Sequence, residues 1–150
     1  MGRYNDINTN DWQSYSNIWT DSLWLIDRRD NSGAHGGVYH GNFVPQIPYQ
    51  LLSRYTRKGD WALDPFMGSG TTLIEAQRVG RNSIGIELQK SVVNEAIGRI
   101  CSENRVGTIA NAYVGDSCSV NVAAILEQNG LQQVQFVILH PPYLEYYKVF

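Results

Sequence analysis

The sequence lacks an apolar run long enough to cross a membrane. Its most apolar stretches, such as residues 136–139, are a few residues long, whereas a spanning helix needs about 20. No basic segment followed by an apolar one opens the sequence, so we expect no secretory leader. With 150 residues, 43% hydrophobic and 17% charged, the composition is that of an ordinary soluble globular protein with room for one domain.

Cysteine is also scarce. Cys101 and Cys118 are the two cysteines, and they form neither a CxxC pair nor a Cys/His ligand pattern. The sequence therefore gives no indication of a metal site. We expect both thiols to be reduced in a cytoplasmic protein, and a disulfide between them is the less favoured alternative.

Positive charge is in short supply. Lys and Arg number 12 against 14 Asp and Glu, which gives a net charge of −2 and a pI near 5.9. A protein that binds nucleic acid usually neutralises phosphates with clustered basic side chains, and here only Arg28-Arg29 and Arg57-Lys58 are clustered. Either a nucleic-acid partner is bound by a part that is not present here, or the partner is of another kind. Composition leaves both open.

Regular elements are predicted to begin after an irregular start. Residues 1–20 are predicted to form an arm that packs aromatic side chains (Trp12, Tyr15 and Trp19) onto the domain. Residues 21–26 favour a short strand or a turn of helix, and the turn-forming residues 30–37 favour a loop. Apolar residues at helical spacing then predict an amphipathic helix over 45–57.

The rest of the sequence alternates between short apolar runs and helical patterns. Strands are predicted at 61–64, 83–87, 108–114 and 134–139, and helices at 71–78, 89–103 and 120–128. This alternation is typical of βαβ units, which place helices on the faces of a parallel sheet. The fourth strand is apolar at nearly every position, which favours burial on both faces and a neighbour on each side.

The glycine-rich segment 63–76 (LDPFMGSGTTLIEA) is the most informative stretch. Gly68 and Gly70 predict a tight turn between a buried strand and a helix start, where the backbone can approach a ligand closely. No Lys precedes Thr71, so the segment is not a phosphate-binding P-loop, and it does not match GxGxxG. Asp64, just before the turn, suits a cationic or amino-bearing ligand. The alternative is a plain strand–turn–helix corner capped by Asp64, which the length of the motif disfavours.

Two further acids follow predicted strands. Glu87 comes about 20 residues after the glycine turn, where a carboxylate commonly accepts hydrogen bonds from the two hydroxyls of a ribose. Asp116 follows the third strand and is suited to accept a hydrogen bond from an adenine amino group. A surface carboxylate at a strand end remains the alternative for Glu87, and a helix N-cap remains the alternative for Asp116.

His140-Pro141-Pro142-Tyr143 follows the last predicted strand. The prolines end the strand and hold an extended backbone whose carbonyl groups stay available, and Tyr143 offers a flat face for stacking a base. An enzyme that methylates an exocyclic amine needs such acceptors, together with a clamp on a base held outside its duplex. The alternative is a proline-rich turn after an edge strand.

With these motifs the chain resembles the DNA amino-methyltransferases that modify adenine at N-6 or cytosine at N-4. The resemblance covers roughly residues 21–150 and rests on three segments. These are residues 40–48, with His40, Gly41 and Phe43, resembling the part that closes over the methionine end of the cofactor; Asp64, Pro65, Phe66, Gly68, Gly70, Thr71 and Thr72, matching the cofactor motif; and Pro141-Pro142-Tyr143, matching the catalytic motif.

The resemblance implies an α/β, Rossmann-like S-adenosylmethionine-dependent methyltransferase fold in three layers, with its first four strands in the order 3-2-1-4 over residues 21–150. It implies S-adenosyl-L-methionine as cofactor, bound by the motif residues with Glu87 and Asp116, and no metal. It also implies methyl transfer to the amino group of a flipped adenine or cytosine in DNA, in a restriction–modification or phage system. His140 and the Pro141 carbonyl would hold the amine, and Tyr143 would stack the base.

The chain departs from the family pattern in two respects. The catalytic motif usually has Asp, Asn or Ser at the position of His140, whose neutral imidazole accepts one hydrogen bond, so the target base stays open. Because the sequence ends shortly after Tyr143, we expect further strands and a recognition region to come from a complementary polypeptide, or the open sheet edge to self-associate. The alternatives are an RNA or protein-glutamine methyltransferase, and an inactive fragment that binds only cofactor or a partner chain.

Overall fold

The computed structural model describes residues 4–36, 43–103 and 105–142. Its helices are α1 (Gln46–Tyr55), α2 (Thr71–Arg78), α3 (Lys90–Glu103) and α4 (Val122–Gln128). Its strands are β1 (Trp61–Asp64), β2 (Asn82–Glu87), β3 (Ala110–Val114) and β4 (Phe136–Val137), and two 3-10 turns, Thr9–Ser14 and Gly33–His35, precede α1. The predicted β1 and α2 have these same bounds, because turn-forming residues flank both segments.

The four strands form one parallel sheet in the order β3-β2-β1-β4. The predicted order 3-2-1-4 is therefore confirmed. The chain adds β2 and β3 on one side of β1 and then returns to the other side with β4, so the order reverses between β1 and β4. In open α/β sheets, such a reversal leaves a ligand-binding crevice at the carboxyl ends of the strands.

Side chains alternate across the sheet and build an apolar layer on each face. On one face α1, α2 and α3 cover the sheet, with Leu52, Ala62, Met67, Leu73, Ile74, Ala76, Val93, Ala96, Ile100 and Ile138 in the buried clusters. On the other face α4 contributes Ile125, which packs with Leu63, Ile84 and Ile86. Helices on both faces of a parallel sheet make the three-layer α/β fold that was predicted.

Strand β4 differs from its prediction over residues 134–139. It has two residues, and Ala62 and Leu63 of the short strand β1 pair with Phe136 and Val137. Burial alternates along the segment, because Ile138 is 4% exposed whereas Val137 is 45% and Leu139 is 67% exposed. The prediction that both faces of this strand are buried was therefore wrong: continuous apolar character did not produce continuous burial.

The segment before α1 lies against that helix with little regular structure. Residues 21–26, predicted as a short strand or a turn of helix, form neither. Gln50 of α1 accepts a hydrogen bond from the backbone N–H of Trp19, and the Trp19 ring meets Trp24 edge-on. Trp12 instead is 66% exposed, so it does not pack onto the domain as expected.

Candidate functional site

The carboxyl edge of the sheet brings together residues that lie far apart in sequence. Because the strands are parallel, β1 ends there at Asp64, β2 ends at Glu87, and β3 leads into Asp116. Strand β4 runs parallel to β1 and leads into His140 at the same edge. Asp64 and His140 therefore follow the two neighbouring strands on either side of the order reversal, and Glu87 and Asp116 follow the next two strands along the same edge.

The turn between β1 and α2 is built on two glycines with positive φ, Gly68 at 50° and Gly70 at 85°. Side chains other than glycine rarely adopt these backbone angles. A Cβ on Gly70 would also lie 3.3 Å from the Ile100 side chain, so the turn rests directly on α3. Gly70 is the N-cap of α2 and no side chain caps this end, which suits the approach of a polar or anionic ligand group.

Gly85 of β2 lies against the same turn, and sequence reasoning did not single it out. A Cβ built on Gly85 would lie 2.4 Å from Met67 Sδ and 2.9 Å from Leu73 Cδ1. The bare backbone of Gly85 therefore lets the glycine turn settle onto the sheet, where the Met67 N–H donates to the Ile86 carbonyl at 3.0 Å. A glycine inside a strand often marks such a close approach, so the signal was present in the sequence.

Asp64 is a buried carboxyl group, 3% exposed. Desolvation raises its pKa to about 6, opposed by a hydrogen bond from the Phe66 N–H and reinforced by the negative charge of Glu87. The Phe66 N–H donates to Asp64 Oδ1 at 3.0 Å. The environment thus makes ionised Asp64 costly until a positive charge approaches it.

Glu87 and Asp116 are more exposed, and each holds the loop that follows it. Glu87 is half-buried and accepts a hydrogen bond from the Gln89 N–H at 2.9 Å. Asp116 is exposed and accepts from the Cys118 N–H at 2.9 Å. The N-cap of α4 is Asn121, so the N-cap alternative for Asp116 is wrong for that helix.

The predicted catalytic motif is described as far as Pro142. His140 is half-buried, and Pro141 is exposed as the chain leaves β4. The imidazole of His140 stacks on the Phe43 ring, with centroids 4.4 Å apart and planes 5° from parallel. Phe43 was predicted to contact the cofactor, and this stack was not foreseen. The other predicted site residues, Tyr143, His40 and Gly41, lie outside the described residues.

A buried ionic cluster lies beside α2, and sequence reasoning did not identify it. His35 is 1% exposed, and its Nε2 lies 2.5 Å from Oε1 of Glu75, which is 3% exposed. Arg78 Nη1 donates to the same Glu75 oxygen at 3.1 Å, and its Nη2 donates to Glu103 at 3.1 Å and to the Ser32 carbonyl at 2.7 Å. Burial raises the pKa of Glu103, but hydrogen bonds from Arg78 and Arg105 outweigh it and hold that pKa below its usual value. The cluster fastens residues 30–36 to α2 and α3.

The described ranges contain neither a metal-binding cluster nor a membrane-spanning helix. Within residues 4–36, 43–103 and 105–142, no group of three or more His, Cys, Asp or Glu side chains could hold a metal ion. No helix in this part of the chain is long and apolar enough to cross a membrane. Cys101 and Cys118 are exposed and free, so they form no disulfide with each other.

Comparison with known proteins identifies a family for the part of the chain that contains the glycine turn. Residues 3–98 match the family described as DNA methylase. The Type II methyltransferase M.MthZI of Methanothermobacter thermautotrophicus is 34% identical over 121 residues, covering 81% of this chain and 32% of the relative. The Type II methyltransferase M2.DpnII of Streptococcus pneumoniae is 36% identical over 99 residues, covering 63% of this chain and 34% of the relative.

The fold has a counterpart among solved structures. TrmN from Thermus thermophilus superposes with a TM-score of 0.53 at 20% identity, over 73% of this chain and 32% of that one. This chain spans about a third of the length of each of the two curated relatives. The family match extends over more than half of the chain and includes the glycine turn and Glu87. The chain therefore belongs to the DNA methylase family.

Proposed function

We propose that the chain forms the S-adenosylmethionine-binding part of a DNA methyltransferase acting on the exocyclic amino group of adenine or cytosine. The observation that carries the proposal is the convergence of two motifs at one edge of the sheet. The glycine turn with Asp64 follows β1, and the His140 motif follows β4, the strand that pairs with β1. Neighbouring sites for cofactor and acceptor are what direct transfer between them requires.

The residues around the glycine turn fit a cationic ligand. Asp64 is destabilised in its ionised form by desolvation and by Glu87, and a sulfonium or ammonium group relieves both effects. Glu87 and Asp116 are suited to accept hydrogen bonds from ribose hydroxyls and from an adenine amino group. The proposed cofactor site comprises Asp64, Pro65, Phe66, Gly68, Gly70, Thr71, Thr72, Glu87 and Asp116.

The acceptor side is assigned to His140, Pro141, Pro142 and Tyr143. When bound, S-adenosylmethionine would supply an electrophilic methyl group to the amine nitrogen, which would lose one proton to water, and the neutral thioether would leave as the methyl–sulfur bond breaks. The chain's own residues then have to hold the amine in line with that bond, and positioning of this kind supplies most of the rate enhancement. A ring nitrogen of His140 and the Pro141 carbonyl are acceptors for the amine hydrogens, and Tyr143 is proposed to stack the flipped base.

DNA is proposed as the acceptor on the strength of family membership. The family is described as DNA methylase, and the relatives are named Type II methyltransferases, which supports a restriction–modification setting. The net charge of −2 means that this chain offers little general attraction for a polyanion. We therefore propose that most contacts to the DNA phosphates come from outside the described residues.

Calorimetric titration with S-adenosylmethionine tests the cofactor assignment. We expect Gly68→Val and Asp64→Ala to abolish binding, because one fills the turn and the other removes the buried counter-charge. Glu87→Ala should weaken binding by about 1–3 kcal/mol, the cost of leaving ligand hydroxyls unpaired. Glu127→Gln is the matched control, since Glu127 is exposed on α4, on the helical layer that packs against the other face of the sheet. Tight binding by both Gly68→Val and Asp64→Ala would refute the assignment.

Methyl transfer from labelled cofactor tests the acceptor. The protein is offered duplex DNA of varied sequence, RNA, or a glutamine-containing peptide, and the modified residue is identified after digestion. We expect label in N-6-methyladenine or N-4-methylcytosine of DNA. Label in RNA or peptide with none in DNA would replace the proposed acceptor.

A further inference from the structure

The stack between His140 and Phe43 joins two parts of the chain that the proposed function treats separately. Phe43 precedes α1, in the segment assigned by resemblance to the cofactor, whereas His140 opens the acceptor motif after β4. Their rings lie 4.4 Å apart and 5° from parallel, which is face-to-face contact over the ring surfaces. Phe43 thus touches the acceptor motif directly.

Phe43 is itself held firmly. Its ring packs against the buried cluster of Leu52, Ala62, Ala76 and Ile138, which belongs to α1, β1, α2 and the end of β4. Its backbone carbonyl accepts a hydrogen bond from the Arg29 guanidinium. The packing against helices and sheet limits the rotamers of the side chain, and the hydrogen bond holds the backbone from which it projects. Phe43 therefore provides a fixed surface for the imidazole to lie on.

Orientation matters more for His than for the residues usual at this position. A carboxylate has two oxygens with several lone pairs, whereas neutral imidazole has a single acceptor nitrogen whose lone pair lies in the ring plane. A ring that is free to rotate points this lone pair in many directions. A ring stacked on a fixed surface can accept only from directions within its own plane.

We propose that Phe43 is a positioning residue for His140, fixing the plane of the imidazole so that its acceptor nitrogen meets the target amine. This inference rests on the proposed function, and it moves Phe43 from the cofactor side of the site to the acceptor side. The two features are then linked. The single acceptor lone pair of His140 can meet the target amine because the Phe43 ring orients the imidazole.

Nuclear magnetic resonance of the histidine rings tests the stack without any reaction. The chain has three histidines, and His140→Asn identifies the His140 signals by their loss. Ring current from a stacked Phe43 should shift the His140 ring protons upfield. We expect Phe43→Leu to abolish that shift and Phe43→Tyr to keep it. Unchanged His140 signals in Phe43→Leu would overturn the proposal.

Cofactor titration and kinetics separate the two roles of Phe43. We expect Phe43→Leu to keep its affinity for S-adenosylmethionine within about twofold while kcat for methyl transfer falls by about tenfold or more, and Phe43→Tyr to restore kcat. In a His140→Asn background the same Phe43→Leu change should lower kcat less, because asparagine has no ring for Phe43 to orient. Loss of cofactor affinity in Phe43→Leu with unchanged kcat would return Phe43 to the cofactor site. Failure of the wild-type protein to bind S-adenosylmethionine would refute the proposed function, and the ring-proton shift would still report on the stack.

Discussion

Burial of Asp64 couples both folding and ligand binding to pH. Its pKa in the folded protein is about 6, above the ordinary value of 3.8, so the folded protein holds the proton more tightly than the unfolded chain does. The stability that this group contributes is therefore fully present at low pH and is lost as pH rises through about 6. A cationic ligand favours the ionised carboxylate, so its affinity rises as the pH increases.

We expect the affinity for S-adenosylmethionine to rise about tenfold between about pH 5 and about pH 7, as Asp64 ionises. Asp64→Asn should bind only weakly at every pH and show little of this rise, since an amide carries no charge and does not titrate. Calorimetry across a pH series measures the effect, and thermal unfolding of ligand-free protein should show the opposite slope over the same interval. An equally steep pH dependence in Asp64→Asn would assign the titration to another group.

Two glycines that occupy different environments give a matched pair of substitutions. Gly85→Ala should lower the free energy of unfolding by about 1–3 kcal/mol, because its Cβ would collide with Met67 and Leu73 under the glycine turn. Gly98→Ala has open space around its Cβ within α3 and should instead stabilise the protein by about 0.5–1 kcal/mol. Urea titration measures both, and a neutral Gly85→Ala would mean that the turn yields without strain.

The site residues that could be predicted from sequence are those that lie within a continuous local motif. Asp64, Gly68 and Gly70 sit inside one continuous motif, and the structure places all of them at the carboxyl end of β1. His35 and Phe43 could not be found in this way. His35 contacts Glu75, and Phe43 contacts His140. These partners lie far along the chain, and no local sequence pattern predicts such a contact.

Helices and strands were predictable to the extent that burial follows periodicity. In α3 five apolar residues were predicted to share one side of the helix, and the structure buries Val92, Val93, Ala96 and Ile100 but leaves Ile97 42% exposed. For β4 the apolar run overestimated both the length and the burial of the strand. Strand β4 pairs with two of the four residues of β1 and lies at the edge of the described sheet.

The ionic cluster that fastens residues 30–36 onto α2 and α3 should contribute strongly to stability. Glu75→Ala removes the common acceptor of His35 and Arg78. Arg78 keeps its bonds to Glu103 and Ser32, whereas the buried His35 loses the hydrogen bond of its Nε2. We expect a loss of about 3 kcal/mol in the free energy of unfolding. Glu127→Ala, an exposed position, should change it by less than about 0.5 kcal/mol.

Chemical denaturation of the two variants distinguishes a buried anchor from a surface pair. Glu75→Gln should recover part of the loss, because its amide oxygen can still accept from Arg78. If Glu75→Ala were no less stable than Glu127→Ala, the cluster would be contributing nothing net to folding.

The sheet as described exposes apolar side chains along β4. Val137 is 45% and Leu139 is 67% exposed, and among the described residues no strand pairs with β4 on the side away from β1. Exposed apolar edge strands promote pairing between chains. We therefore predict concentration-dependent self-association of the 150-residue chain, measured by size-exclusion chromatography with light scattering.

Val137→Lys should shift that equilibrium towards the monomer, because a charge on the strand opposes pairing. Val106→Lys is the matched control: it makes the same chemical change at a fully exposed position in the turn after α3, away from β4. A wild-type chain that stays monomeric at every concentration would contradict the prediction.

The free thiol of Cys118 is a position for attaching a fluorescent label beside the site. It is exposed, it lies two residues beyond Asp116, and its backbone N–H donates to the Asp116 carboxylate. With Cys101 replaced by serine, a fluorophore attached at Cys118 would sit on the loop that meets the adenine end of the proposed ligand. Cofactor binding should then change the emission of the fluorophore. Occupancy of the proposed cofactor site could be followed in real time and in crude mixtures, with no label on the cofactor or the nucleic acid.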